Sequence, residues 1–173
     1  MAIVAVLSAK FDRTEARVLL THVAIAAYSL FALAAAAVAD RRPRAALAGW
    51  TVCGFGLLIA LLSIWIEWTG ENENLYRSTW ILFVVAFTIA HASLLESRRR
   101  DSDGAAVRAV SAATLATVVL VGTLIAIGIG SAESVHDSYL RLLAVVGVLD
   151  VLGTLVLPIA RKVEQSSASA GGG

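Results

Sequence analysis

The sequence predicts an all-α fold: a polytopic integral membrane bundle of five transmembrane helices. Three observations predict it. Of the 173 residues, 58% are hydrophobic and only 16% are charged, against roughly 25% charged in soluble domains. The apolar residues gather into five long runs bounded by charge clusters, each near the ~20 residues with which a helix crosses about 30 Å of hydrocarbon. The runs are continuous rather than alternating, which argues against a closed β-barrel and leaves helices as the way to satisfy the backbone in lipid.

Taken in order, residues 1–17 are apolar and then charged, and nothing charged precedes Lys10. A secretory signal needs a basic region ahead of its apolar core. The segment is therefore read as interfacial, with Ile3, Leu7 and Phe11 on one face, or as an extension of the first helix. Helices are expected over 18–39, 45–66, 78–95, 109–130 and 139–160, making one transmembrane domain over 18–162. Connectors such as 40–44 and 131–138 are short, so sequential helices should be antiparallel neighbours. Residues 163–173, ending in SASAGGG, are small and polar and are expected to form a flexible tail.

Orientation follows from the basic residues, which accumulate on the cytoplasmic side. Arg41, Arg42, Arg44, Arg98, Arg99, Arg100, Arg108, Arg161 and Lys162 all fall at one end of the expected bundle. This predicts the N-terminus outside and the C-terminus inside, with Lys10, Arg13 and Arg17 as a discordant cluster. Trp65, Trp68, Tyr76, Trp80 and Tyr139 fall near the outer boundary, where amphipathic rings prefer the headgroups. Glu67, Glu71 and Glu73 make the second connector acidic; without the spacing of a calcium loop they read as a solvated turn. The membrane is expected to be a plasma (inner) membrane.

Composition also limits partners and cofactors. A net charge of +1 offers no excess to neutralise a nucleic-acid backbone. One cysteine can build neither an intramolecular disulfide nor a Cys-rich zinc site. The phosphate-loop, nucleophile-elbow, zinc-protease and dinucleotide motifs are absent from the sequence. No cofactor is expected to dominate, with a haem or a quinone as the residual possibility.

Two helix faces stand out. In the second helix Gly49, Cys53, Gly56, Ala60 and Ser63 recur every three or four residues, one stripe of small side chains that lets another backbone approach closely. This marks the second helix as the expected packing centre; a narrow ligand channel beside the stripe is the functional alternative. In the fifth helix Asp150 lies near mid-membrane, where an ionisable group costs on the order of 2.5 kcal/mol or more. At about 1.5 Å per residue, Asp150 lies about 16 Å below the outer edge and His91 of the third helix about 20 Å. If those helices are neighbours the two can meet, with Thr88 and Thr154 as further members. Such a cluster is either a clamp fixing helix register or a proton-carrying pair. His22 and His136, near the outer boundary, are weaker candidates as haem or metal ligands, because a tight site wants more converging ligands.

The leading expectation is thus a non-enzymatic accessory or assembly subunit of a membrane complex, its partners being the lipid bilayer, copies of itself or other membrane subunits. The alternative is a small oligomeric proton-linked transporter or channel using Asp150 and His91. A haem- or quinone-binding redox subunit is the third.

Overall fold

The computed structural model describes residues 13–66, 72–100, 103–131 and 137–170. These form five α-helices: α1 (Arg13–Ala36), α2 (Pro43–Trp65), α3 (Glu73–Ser97), α4 (Ala105–Gly130) and α5 (Asp137–Ala170). All five are long and apolar enough to cross a membrane, and no strand occurs among the described residues. The chain is therefore an integral membrane helical protein. Residues 1–12, Glu67, Trp68, Glu71 and His136, on which several expectations rest, lie outside the described residues.

The helices begin and end where local chemistry allows, which is not always where apolarity stops. α1 ends at Ala36 rather than 39, because Pro43 occupies the first turn of α2, where its missing N–H costs nothing. The turn between them is held by Arg42 N–H donating to the Val38 carbonyl at 2.8 Å. α3 starts at Glu73, five residues before the expected 78, since Glu73 suits the positive end of the helix and pairs with Arg77 at 2.6 Å one turn later. α4 starts at Ala105 rather than 109, directly after an extended Gly104. α5 runs through Ala170 and so enters the segment read as tail. It contains Pro158, which has no N–H to offer the Thr154 carbonyl one turn earlier.

α3 packs against α1, α2 and α4, while α4 also packs against α5. α3 has extended contacts with three other helices and α2 with two, α1 and α3. α2 nevertheless turns its small stripe inward, with Gly49, Cys53, Gly56, Ala60 and Ser63 all buried. A Cβ on Gly49 would stand 2.7 Å from that of Ala35, and one on Gly56 would stand 2.6 Å from the Tyr28 ring. These glycines let α1 and α2 close on each other. Two indoles tie the same pair: Trp50 donates to the Ala32 carbonyl at 3.1 Å and Trp65 to the Thr21 hydroxyl at 3.2 Å.

Two cores result. Between α1, α2 and α3 lie Tyr28, Cys53, Ala60 and Ala86, flanked by Phe31 and Phe83. The rings meet edge to face, with Phe31 5.4 Å from Phe83, 5.8 Å from Tyr28 and 5.9 Å from Phe87. Among α3, α4 and α5 lie Leu95, Val107, Val118 and Leu157. There Gly122 receives Thr88 of α3, and Gly153 of α5 receives Thr114, each so closely that an added Cβ would overlap the threonine.

A candidate protonatable site inside the membrane

His91 comes from α3 and Asp150 and Thr154 from α5, so the site forms only because both helices pack on α4. Three and four residues separate Trp80, Phe83, Phe87 and His91, a stripe that keeps the imidazole in line with the aromatic face of α3. Phe87 holds the ring edge to face with centroids 6.1 Å apart. On α5, Asp150 and Thr154 are one turn apart and share a face.

The imidazole spans both α5 residues. His91 Nδ1 lies 4.0 Å from Asp150 Oδ2, beyond hydrogen-bond length, and Nε2 lies 3.5 Å from Thr154 Oγ1. Thr154 donates its hydroxyl proton to the Asp150 backbone carbonyl at 3.0 Å. Its oxygen can therefore only accept from His91, which assigns the ring proton to Nε2 by hydrogen bonding and leaves Nδ1 bare toward Asp150. The other carboxyl oxygen, Asp150 Oδ1, is buried and has no hydrogen-bond partner. The carboxyl thus faces Nδ1 across a gap, and an approach of about 1 Å would bring the two into hydrogen-bond range.

Thr88, the fourth expected member, donates to the Val84 carbonyl at 2.8 Å and touches neither His91 nor Asp150 by hydrogen bond. It does line the same cavity: about 90 Å³, bounded by Phe83, Phe87, Thr88, His91, Gly122 and Asp150. That exceeds the roughly 10–15 Å³ that one water needs. On the far side of Thr154 a cleft of about 570 Å³ opens among Arg41, the Arg98–Arg100 turn, Arg161 and Lys162. His91 also borders a groove of about 880 Å³ between α1 and α3, of which it is the one polar lining residue. The triad thus stands between an internal cavity and a basic cleft.

The remaining candidates lie elsewhere. His22 on α1 has Nδ1 2.7 Å from the Val18 carbonyl of its own helix, and no group of three His, Cys, Asp or Glu side chains suited to a metal occurs among the described residues. Cys53 is buried in the first core.

Two features escaped sequence reasoning. The ladder of rings ending at His91 was readable, since Tyr28 and Phe31 on one helix and Trp80, Phe83 and Phe87 on the other follow helical spacing. The second is the seal at the basic end, where Arg161 of α5 pairs with Asp103 at 2.9 Å and the Arg100 N–H donates to the same oxygen at 3.0 Å. Burial pushes the Asp103 carboxyl up, but these two donors and the nearby guanidinium charges outweigh it and hold it below the usual carboxylate range. Nothing in the sequence around Asp103 announces a partner 58 residues away. Compared with known protein families, with characterised proteins and with solved structures, the chain matches none.

Proposed function

We propose that this integral membrane protein handles protons within the bilayer, as a small proton-linked transporter or channel, with Asp150, His91 and Thr154 as the carrying groups. The observation that carries the reading is the loosely held carboxyl: Oδ1 buried without a partner, Oδ2 4.0 Å from His91. A carboxyl kept only as a register clamp needs its oxygens bonded, because an unpaired buried charge or acceptor is costly. A group that must change protonation state needs room and a second basin, and the adjoining cavity and the bare Nδ1 supply both. In the proposed orientation, with the C-terminus inside, the basic cleft opens toward the cytoplasm and Thr154 stands at its inner end.

The test is proton uptake into liposomes holding the purified protein, driven by a potassium gradient and read with an internal pH dye. The expected result is uptake above that of protein-free vesicles, abolished in Asp150→Asn, while the variant keeps the wild-type elution volume. Uptake equal to protein-free vesicles, or full uptake in Asp150→Asn, would sink the proposal. A second reading, the accessory subunit, is supported by the open side of the bundle: α5 makes no extended contact with α1 or α2. Under that reading Asp150→Asn retains function, since an amide still hydrogen-bonds, and unlike subunits co-purify in fixed stoichiometry.

A further inference from the structure

The cleft beyond Thr154 has a chemistry that the proton reading does not use. Six cationic side chains line it: Arg41 from the first turn, Arg98, Arg99 and Arg100 from the α3–α4 turn, and Arg161 and Lys162 from α5. Among the described residues two carboxylates pair with the cations at this end. Asp103 engages Arg161 at 2.9 Å, and Glu96 is shared by Arg42 at 2.8 Å and Arg99 at 3.7 Å. Among the described residues no carboxylate is ion-paired with Arg41, Arg98 or Lys162, while Arg100 lies beside Asp103, to which its N–H donates at 3.0 Å. Three guanidinium or ammonium groups, Arg41, Arg98 and Lys162, therefore converge from three segments of the chain without an ion-pair partner among the described residues.

Such convergence is costly unless an anion answers it. The cations are also held in place: Arg41 donates to the Arg99 carbonyl at 2.5 Å, which ties the first turn to the second, and Asp103 fixes Arg161 against α4. Arg161 uses one terminal nitrogen on Asp103, and its Nε is buried without a hydrogen-bond partner. Planar guanidinium groups with spare donors match phosphate oxygens. The same cleft has an apolar wall of Leu95, Leu157 and Pro158, so charge and hydrocarbon lie side by side at the end of the spanning region, as in basic sites between helices that hold lipid headgroups.

We infer that this cleft binds a phosphate group, carried by an anionic phospholipid headgroup or by a soluble phosphate. Arg100 and Lys162 are its exposed outer contacts and the half-buried Arg161 its inner one.

The experiment uses the full chain in mild detergent, with native mass spectrometry and thermal melting as readouts. Phosphatidylglycerol, phosphatidylcholine and inorganic phosphate are added separately, the last against chloride at equal ionic strength. The expected result is retained phosphatidylglycerol but not phosphatidylcholine, weakened about fivefold for each cation removed in Arg100→Ala and Lys162→Ala, and unchanged in Arg141→Ala at the opposite end. Stabilisation by inorganic phosphate without lipid retention assigns the phosphate to a soluble source and keeps the site. If Arg100→Ala with Lys162→Ala fails to fold, Arg41→Ala with Arg98→Ala gives the same reading from the other wall. Absence of both lipid retention and phosphate stabilisation, or wild-type binding by the double variants, overturns the inference.

Discussion

The two cores that share α3 are built from opposite materials. The α1–α2–α3 side is closed by rings and by side chains no larger than cysteine along the α2 stripe. The α3–α4–α5 side interleaves threonines with glycines and carries an aspartate, a histidine and an ion-paired arginine. Lipid is as apolar as leucine, so neither side is driven together by burial of hydrocarbon; close packing and polar contacts do the work in both. The difference lies in what each can tolerate. Rings and methyl groups can shift slightly without breaking a hydrogen bond, the one buried hydroxyl among them, that of Tyr28, having none, whereas the second core must keep several polar groups matched and leaves atoms of Asp150 and Arg161 open. A membrane protein that fills one half with rings and leaves the other half polar divides rigidity from chemistry along a single shared helix.

The largest expected effect breaks the first core. Gly49→Leu should destabilise the bundle by about 3 kcal/mol, the upper end of overpacking, because the obstructing Ala35 Cβ is fixed to the α1 backbone and relief requires the helix to move. Gly54→Leu, with nothing within 4 Å of an added Cβ, is the size-matched control and should leave stability within about 0.5 kcal/mol of wild type. Unfolding in graded denaturing detergent measures both; equal losses would mean that the α1–α2 contact is not as close as described.

A middling effect sharpens the second core. Asp103→Asn should cost about 1–3 kcal/mol by leaving Arg161 without its ionic partner at a boundary that water partly reaches. The pH dependence has a definite sign. Because the folded carboxyl is held below its ordinary value, its stabilisation is complete above the unfolded pKa of about 3.9 and is lost as pH falls through the lower, folded one. Melting curves should therefore separate wild type from variant at pH 7 and converge in strong acid. A gap independent of pH would show that the charge on Asp103 is not what docks α5.

The smallest effect has the opposite direction. Tyr28→Phe should stabilise by about 1 kcal/mol, since the phenol oxygen is buried without a partner while the ring keeps its contacts with Phe31 and Phe83. Destabilisation measured in the same assay would mean that the hydroxyl has a bonded neighbour and that the first core is less purely apolar than its rings suggest.

How much was legible depended on which physical rule applied. The number and kind of helices followed from run length against bilayer thickness, and the similar depth of His91 and Asp150 from rise per residue, while their approach depended on which helices pack on α4. The inward turn of the α2 stripe followed from helical period. Helix ends did not follow, because Glu73 with Arg77, or Glu15 in the first turn of α1, continue a helix that hydropathy alone would stop. Nor did the pairing of Arg161 with Asp103, or the seating of Thr114 on Gly153, since residues so distant in sequence become neighbours only when the helices have chosen their partners.

The sharing of α3 also orders assembly in time. Every extended helix contact joins neighbours in sequence except that between α1 and α3. Once α3 has been inserted, the ring-lined core is complete, and α4 and then α5 are added to a finished surface. Chains that close local contacts first are quick to fold and leave few competing pairings. The aspartate comes with α5, after α3, and meets a histidine already held against Phe87. The costly group is thus brought into the bilayer only when its counterpart is waiting.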